Sequence, residues 1–163
     1  MAPPFQKINR KVEDAIRNVI LANRESILTT AVMPDDSIIR GAKGKLARTV
    51  PMIAIVCATA EAEIKADVIT GNFDCEVSVS YISNYKDETR DERGERAGVV
   101  WDILMRPNLP AILNEMGNVI DFHAYNGKPG EGNGWRPLQW STRTEENKIV
   151  EEVTGMLYCR PTT

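Results

Sequence analysis

Apolar residues recur at helical spacing near the start of the chain, at Ile8, Val12, Ile16, Val19, Ile20, Ile27 and Leu28. Arg10, Glu13, Asp14, Arg17, Arg24 and Glu25 fill much of the intervening surface. A stripe of this kind predicts one amphipathic helix over 7–31, weakest where Asn23 and Arg24 interrupt it, with Pro34 marking a stop soon after. The period then changes. Met52 to Cys57 is a short apolar run rich in β-branched residues, and it predicts a buried strand that continues toward Ile64. Gly71 and Asn72 predict the turn that follows. Phe73 to Ile82 alternates strictly: Phe73, Cys75, Val77, Val79 and Tyr81 on one side, Asp74, Glu76, Ser78 and Ser80 on the other. Period two means one buried and one wetter face.

Beyond that strand, Lys86 to Arg96 is dense in both signs of charge and reads as a solvated loop and the first helical turns. Val99, Val100, Trp101, Ile103 and Leu104 supply the apolar part of that helix, which ends before Pro107. Gly94 and Gly98 each weaken it by up to about 1 kcal/mol. A short helix fits Leu109 to Met116, with Asn108 as N-cap, Pro110 in the first turn and Gly117 closing it. Val119 to Tyr125 reads as a strand, Leu138 to Thr142 as a weak one, and Lys148 to Arg160 as the closing strand, bulged near Gly155. Residues 1–6 read as an extended arm, and 32–50 and 126–137 as long loops. The expected fold is α+β: a largely antiparallel twisted sheet of four to five strands. A long N-terminal helix and a crossover helix pack on one of its faces.

Composition narrows the function classes. A chain of 163 residues is one domain of ordinary size. Its net charge of −3 is unlike that of a general nucleic-acid binder, which is usually basic. Cys57, Cys75 and Cys159 are an odd number without close spacing, so buried reduced thiols are expected rather than a secreted disulfide framework. The first residues carry no secretory pattern, and no apolar run reaches the ~20 residues of a membrane span, so synthesis in a reducing cytoplasm is expected. His123, the single histidine, lies two residues from Asp121 and would share a strand face with it. No nucleophile is marked beside them and no metal-ligand spacing exists, so neither a catalytic residue nor a cofactor or metal is expected. Arg40, Lys43, Lys45 and Arg48 form a basic cluster that suits DNA phosphates or an acidic neighbouring subunit. Trp135 and Arg136 sit beside the Gly-rich loop, where tryptophan and arginine often anchor interfaces.

The order of these segments resembles that of tail terminator and tail-completion proteins of long-tailed bacteriophages, with the head–tail neck proteins close behind. The matching segments are Lys7 to Ala31, Met52 to Cys57, Phe73 to Ile82, Ala97 to Met105, Val119 to Tyr125 and Lys148 to Arg160. The likeness rests on order and length. It implies a non-enzymatic structural virion protein made in the host cytoplasm. Such proteins form a homo-oligomeric ring, usually a hexamer, that caps the tail tube. That ring stops tube growth and offers the head–tail joining surface. The implied partners are other copies of the chain, the tail tube protein and neck or connector proteins. DNA would pass through the lumen without sequence-specific binding. A neck adaptor, a tube-like subunit, or a small nucleic-acid-binding protein using Arg40 to Arg48 are the alternatives.

Overall fold

The computed structural model describes residues 8–22, 38–40, 51–84, 90–104, 112–113, 120–122 and 135–161. Helix α1 (Ile8–Ala22) follows from the apolar spacing at its start: Ile8, Val12, Ala15, Ile16, Val19 and Ile20 are all buried. The remainder of the expected helix lies outside the described residues. Strand β1 (Ile38–Arg40) falls inside the segment expected to be a loop. Its pairing with Ile53–Ile55 is parallel and tertiary, which no local pattern announces.

Strands β2 (Met52–Lys65) and β3 (Val68–Asn84) form a hairpin longer than expected. Its turn is at Ala66 and Asp67, with φ of 50° and 62°, rather than at Gly71 and Asn72. Two consecutive left-handed residues match the right-handed twist of the flanking strands. Gly71 instead lies inside β3 at φ 89°, a conformation that favours glycine.

Helix α2 (Arg90–Leu104) begins within the charged segment, where its first turns were expected. Arg93 departs from the expected solvated character: it is only 5% exposed and its Nε donates to Ser83 Oγ at 3.1 Å. Of the expected helix over 109–116, only Ile112 and Leu113 are described, both helical. Strands β4 (Ile120–Phe122), β5 (Trp135–Glu145) and β6 (Lys148–Pro161) complete the sheet. β5 begins at Trp135, so the loop expected over 126–137 ends earlier than its pattern suggested, and the strand is longer than Leu138 to Thr142. The irregularity expected in β6 near Gly155 sits on its partner, where the register shifts between Pro137 and Gln139. Pro137 lacks an amide hydrogen and cannot donate to the ladder there.

The strand order is β1-β2-β3-β6-β4, with β5 also paired to β6. All pairs except β1–β2 are antiparallel. This is the expected α+β arrangement, with six described strands instead of four to five, four of them long and two of three residues each. One core cluster joins α1 with Ala97 and Val100 of α2 and with Ile53, Ile55, Val77, Val79, Tyr81, Val153 and Leu157 of the sheet, so both helices cover the same face. A smaller cluster of Met52, Ala54, Ile82 and Val150 occupies the other face at one end of the strands. Elsewhere that second face is mostly polar: Asp74, Glu76, Ser78 and Ser80 lie on it, with Val56 and Met156 among them.

Candidate assembly surfaces

The helix face is held to the sheet by one irregularity. The β2–β3 register shifts between Cys57 and Thr59, as at a bulge. Asn9 and Glu13, one turn apart on α1, grasp the peptide groups this shift presents. The Cys57 amide donates to Glu13 Oε2 at 2.8 Å, and its carbonyl accepts from Asn9 Nδ2 at 2.8 Å. Glu13 is 8% exposed, so a charge-assisted hydrogen bond accounts for its burial.

The three thiols line the same buried face, free of disulfides. Cys75 Sγ lies 3.7 Å from Cys159 Sγ, and Cys57 Sγ donates to Thr59 O at 3.5 Å. Hydrogen bonding with Cys75, together with burial, pushes the Cys57 thiol well up. The bond to Cys159, again with burial, raises Cys75. Both stay protonated and are therefore poor nucleophiles. The buried reduced thiols expected from sequence are what the core contains.

A second irregularity bends the hairpin near its tip. Between the pairs Ala62↔Phe73 and Ile64↔Ile69, β2 carries Glu63 alone while β3 carries Thr70, Gly71 and Asn72. Glu63 Oε1 accepts from Tyr158 Oη at 2.8 Å, from Thr70 Oγ1 at 2.9 Å and from Asn72 Nδ2 at 3.5 Å. Lys65 Nζ is 3.7 Å away. Burial raises the Glu63 carboxyl, but the bonds from Tyr158, Thr70 and Asn72 and the charge of Lys65 outweigh it and hold it below its ordinary value. Tyr158 is pushed up to about 12, by burial first and then by its bond to Glu63. This hub pins the hairpin to β6 across 95 residues of sequence.

Past the hub, the hairpin leaves the core. Ile64, Val68 and Ile69 are 64%, 62% and 68% exposed. Trp140 on β5 is the other large apolar side chain exposed among the described residues, at 37%. Its ring stacks edge-on against Trp101, centroids 4.6 Å apart, and its Nε1 donates to Glu151 Oε2 at 3.2 Å. Thr142 Oγ1 donates to the same oxygen at 2.6 Å. On the polar face, Ser80 donates to Glu152 at 2.9 Å, and Arg143 reaches Glu145 at 2.6 Å and Glu152 at 3.3 Å. The hydrogen bond to Glu145, with the charge of Glu152, raises Arg143 above its ordinary value.

The residues singled out from sequence are divided among several places. Trp135 and Arg136 open β5, opposite Leu157 and Met156. Arg40 ends β1, opposite Ile55. Lys43, Lys45, Arg48 and His123 lie outside the described residues, so of the expected basic cluster only Arg40 is described. Asp121 pairs with Arg160 in the ladder. Among the described residues there is no group of three or more side chains suited to a metal ion. No helix of the described residues is long and apolar enough to cross a membrane. The apolar hairpin tip escaped the sequence reading. Its signal was the pair Ala66–Asp67 between Ile64 and Val68–Ile69, a two-residue turn written without glycine. Compared with known proteins, the chain matches no family model and no curated protein sequence.

Proposed function

We propose that this chain is a structural virion protein of a long-tailed bacteriophage. In this reading it is a tail terminator, closing a ring on the end of the tail tube and presenting the surface to which the DNA-filled head is joined. Supporting it is the element order: a leading helix, a long hairpin, a second helix on the same face and a late strand finishing the sheet. The observation that carries the reading is where apolar surface is left uncovered. The exposed large apolar side chains of the described residues sit on β2, β3 and β5, at the hairpin tip and along the opposite side of one sheet. Isolated exposed aliphatic residues are ordinary, but three together at a projecting turn suit docking. A ring needs two unlike patches on each subunit, repeated until the rotation closes.

Particle imaging and native mass spectrometry of the purified chain, alone and with the tail tube protein, test this. The expected result is a closed ring, about six copies if it follows the usual symmetry of such collars, that binds tube ends and halts their growth. A chain that stays monomeric and leaves tube length unchanged would overturn the reading.

A further inference from the structure

The geometry points to a specific joint between copies: the outer edge of β2 from Ala58 to Lys65 pairs, antiparallel, with the outer edge of β5 in the next copy. Ring closure rests on the function proposed above, but the joint does not. Among the described residues, β1 covers the β2 edge only at Ile53–Ile55. Beyond Cys57, the side chains of Ala58, Thr59, Glu61, Ala62, Ile64 and Lys65 are exposed. On the far side of the sheet, β5 pairs among the described residues only with β6, and Gln139, Trp140, Thr142 and Thr144 are exposed. An unpaired strand edge is a template for another strand.

Direction and register both follow. β2, β3, β6 and β5 alternate in direction, so continuing the sheet into a second copy places its β2 antiparallel to β5. β1 already occupies the lower edge of β2, so the incoming β5 must slide toward the hairpin tip. Strands tilted around a closed ring require a slide of this kind. One register then matches the apolar side chains: Trp140 comes opposite Ile64 and Thr142 opposite Ala62, with Arg143 opposite Glu61 on the other face. On the helix-bearing face, Trp140, Thr142, Ala62 and Ile64 come together. This parity holds because Trp140 is paired with Val153, Thr142 with Glu151 and Ala62 with Phe73, while Glu63 points the other way to reach Tyr158. On the polar face Arg143, which already reaches Glu145 and Glu152 in its own copy, stands opposite Glu61. The apolar tip thus covers the exposed tryptophan. A slip of one residue would turn Ile64 away from Trp140. Because the two edges differ, the contact is head-to-tail and leaves a free edge at each end until a ring closes.

Paired single-cysteine variants test the joint in the full chain. Ala62→Cys and Thr142→Cys, each added to the native sequence, are purified separately, mixed and oxidised mildly. The native thiols are buried and do not compete. A disulfide dimer is expected in the mixture and in neither variant alone. A62C dimers forming without T142C would mean a symmetric contact and overturn the proposal, as would a chain that remains monomeric at high concentration. Ile64→Asp is expected to weaken self-association at least tenfold while leaving the thermal unfolding curve unchanged, since Ile64 is 64% exposed in the single copy. A closed ring that gives no A62C–T142C link would sink the joint and spare the collar. A linked open filament that never closes would do the reverse.

Discussion

The two halves of the β2–β3 hairpin obey opposite rules. From Met52 to Cys57 the strand is buried almost throughout, clamped by α1 and backed by Val77, Val79 and Tyr81. Past Glu63 the same two strands carry Ile64, Val68 and Ile69 into solvent. Residue type does not separate the halves, since isoleucine and valine occur in both. What separates them is whether a second layer stands over the strand. The covered half holds the fold, and the bare half contributes surface.

Substitutions should divide along that line. The largest effect is expected in the core: Ile16→Ala, at a fully buried position of α1, should lower the unfolding free energy by about 2–5 kcal/mol, whereas Ile69→Ala should change it by no more than ~0.5 kcal/mol. Denaturant titration of the two variants checks this, and equal losses would erase the distinction. Next comes the clamp. Glu13→Ala removes the acceptor for the buried Cys57 amide and should cost about 1–3 kcal/mol, with Glu13→Gln closer to the parent because an acceptor remains. Hydrogen exchange at Cys57 would report the loss directly.

The Glu63 hub marks the boundary between the halves, and it responds to pH. Its carboxyl is held below the ordinary value in the folded chain, so its contribution is present above the unfolded pKa and is lost as pH falls through the folded one. Glu63→Gln should therefore differ from the parent at neutral pH and converge on it in acid. At the other extreme, Tyr158 loses its proton near 10.0 when unfolded but at about 12 when folded. Its share of stability persists below pH 10 and fades as the pH climbs toward 12. Alkaline titration of tyrosinate absorbance, with and without Glu63→Gln, would show whether the two shifts share one cause. The smallest change belongs to the tip itself. Replacing Ala66 by Asn and Asp67 by Gly supplies residues at ease with positive φ and should stabilise the hairpin by up to ~1 kcal/mol.

Wherever one layer decided the outcome, the chain could be read directly. The stripe from Ile8 to Ile20 specified α1 because a helix on a sheet buries one face. The alternation from Phe73 to Tyr81 specified both faces of β3 for the same reason. Reading failed where a distant partner decides. Arg93 looks like a solvated charge until Ser83 is seen beside it. Ile38 to Arg40 is a strand only because Ile53 to Ile55 pairs with it. Gly71 and Asn72 carry turn chemistry, yet they serve a kink that Glu63 and Tyr158 hold, while Ala66 and Asp67 turn the chain with residues seldom chosen for it. Trp135 and Arg136 open β5, and the apolar tip was hidden by a turn placed too late.

Asn9 and Glu13 take hold of the amide and the carbonyl of a single residue, Cys57. Had β2 and β3 aligned one residue out of step, a different residue would stand under the helix and its two polar side chains would be stranded in an apolar seam. Docking of α1 is thus a checkpoint on strand alignment, and the irregularity in β2 is the mark it inspects.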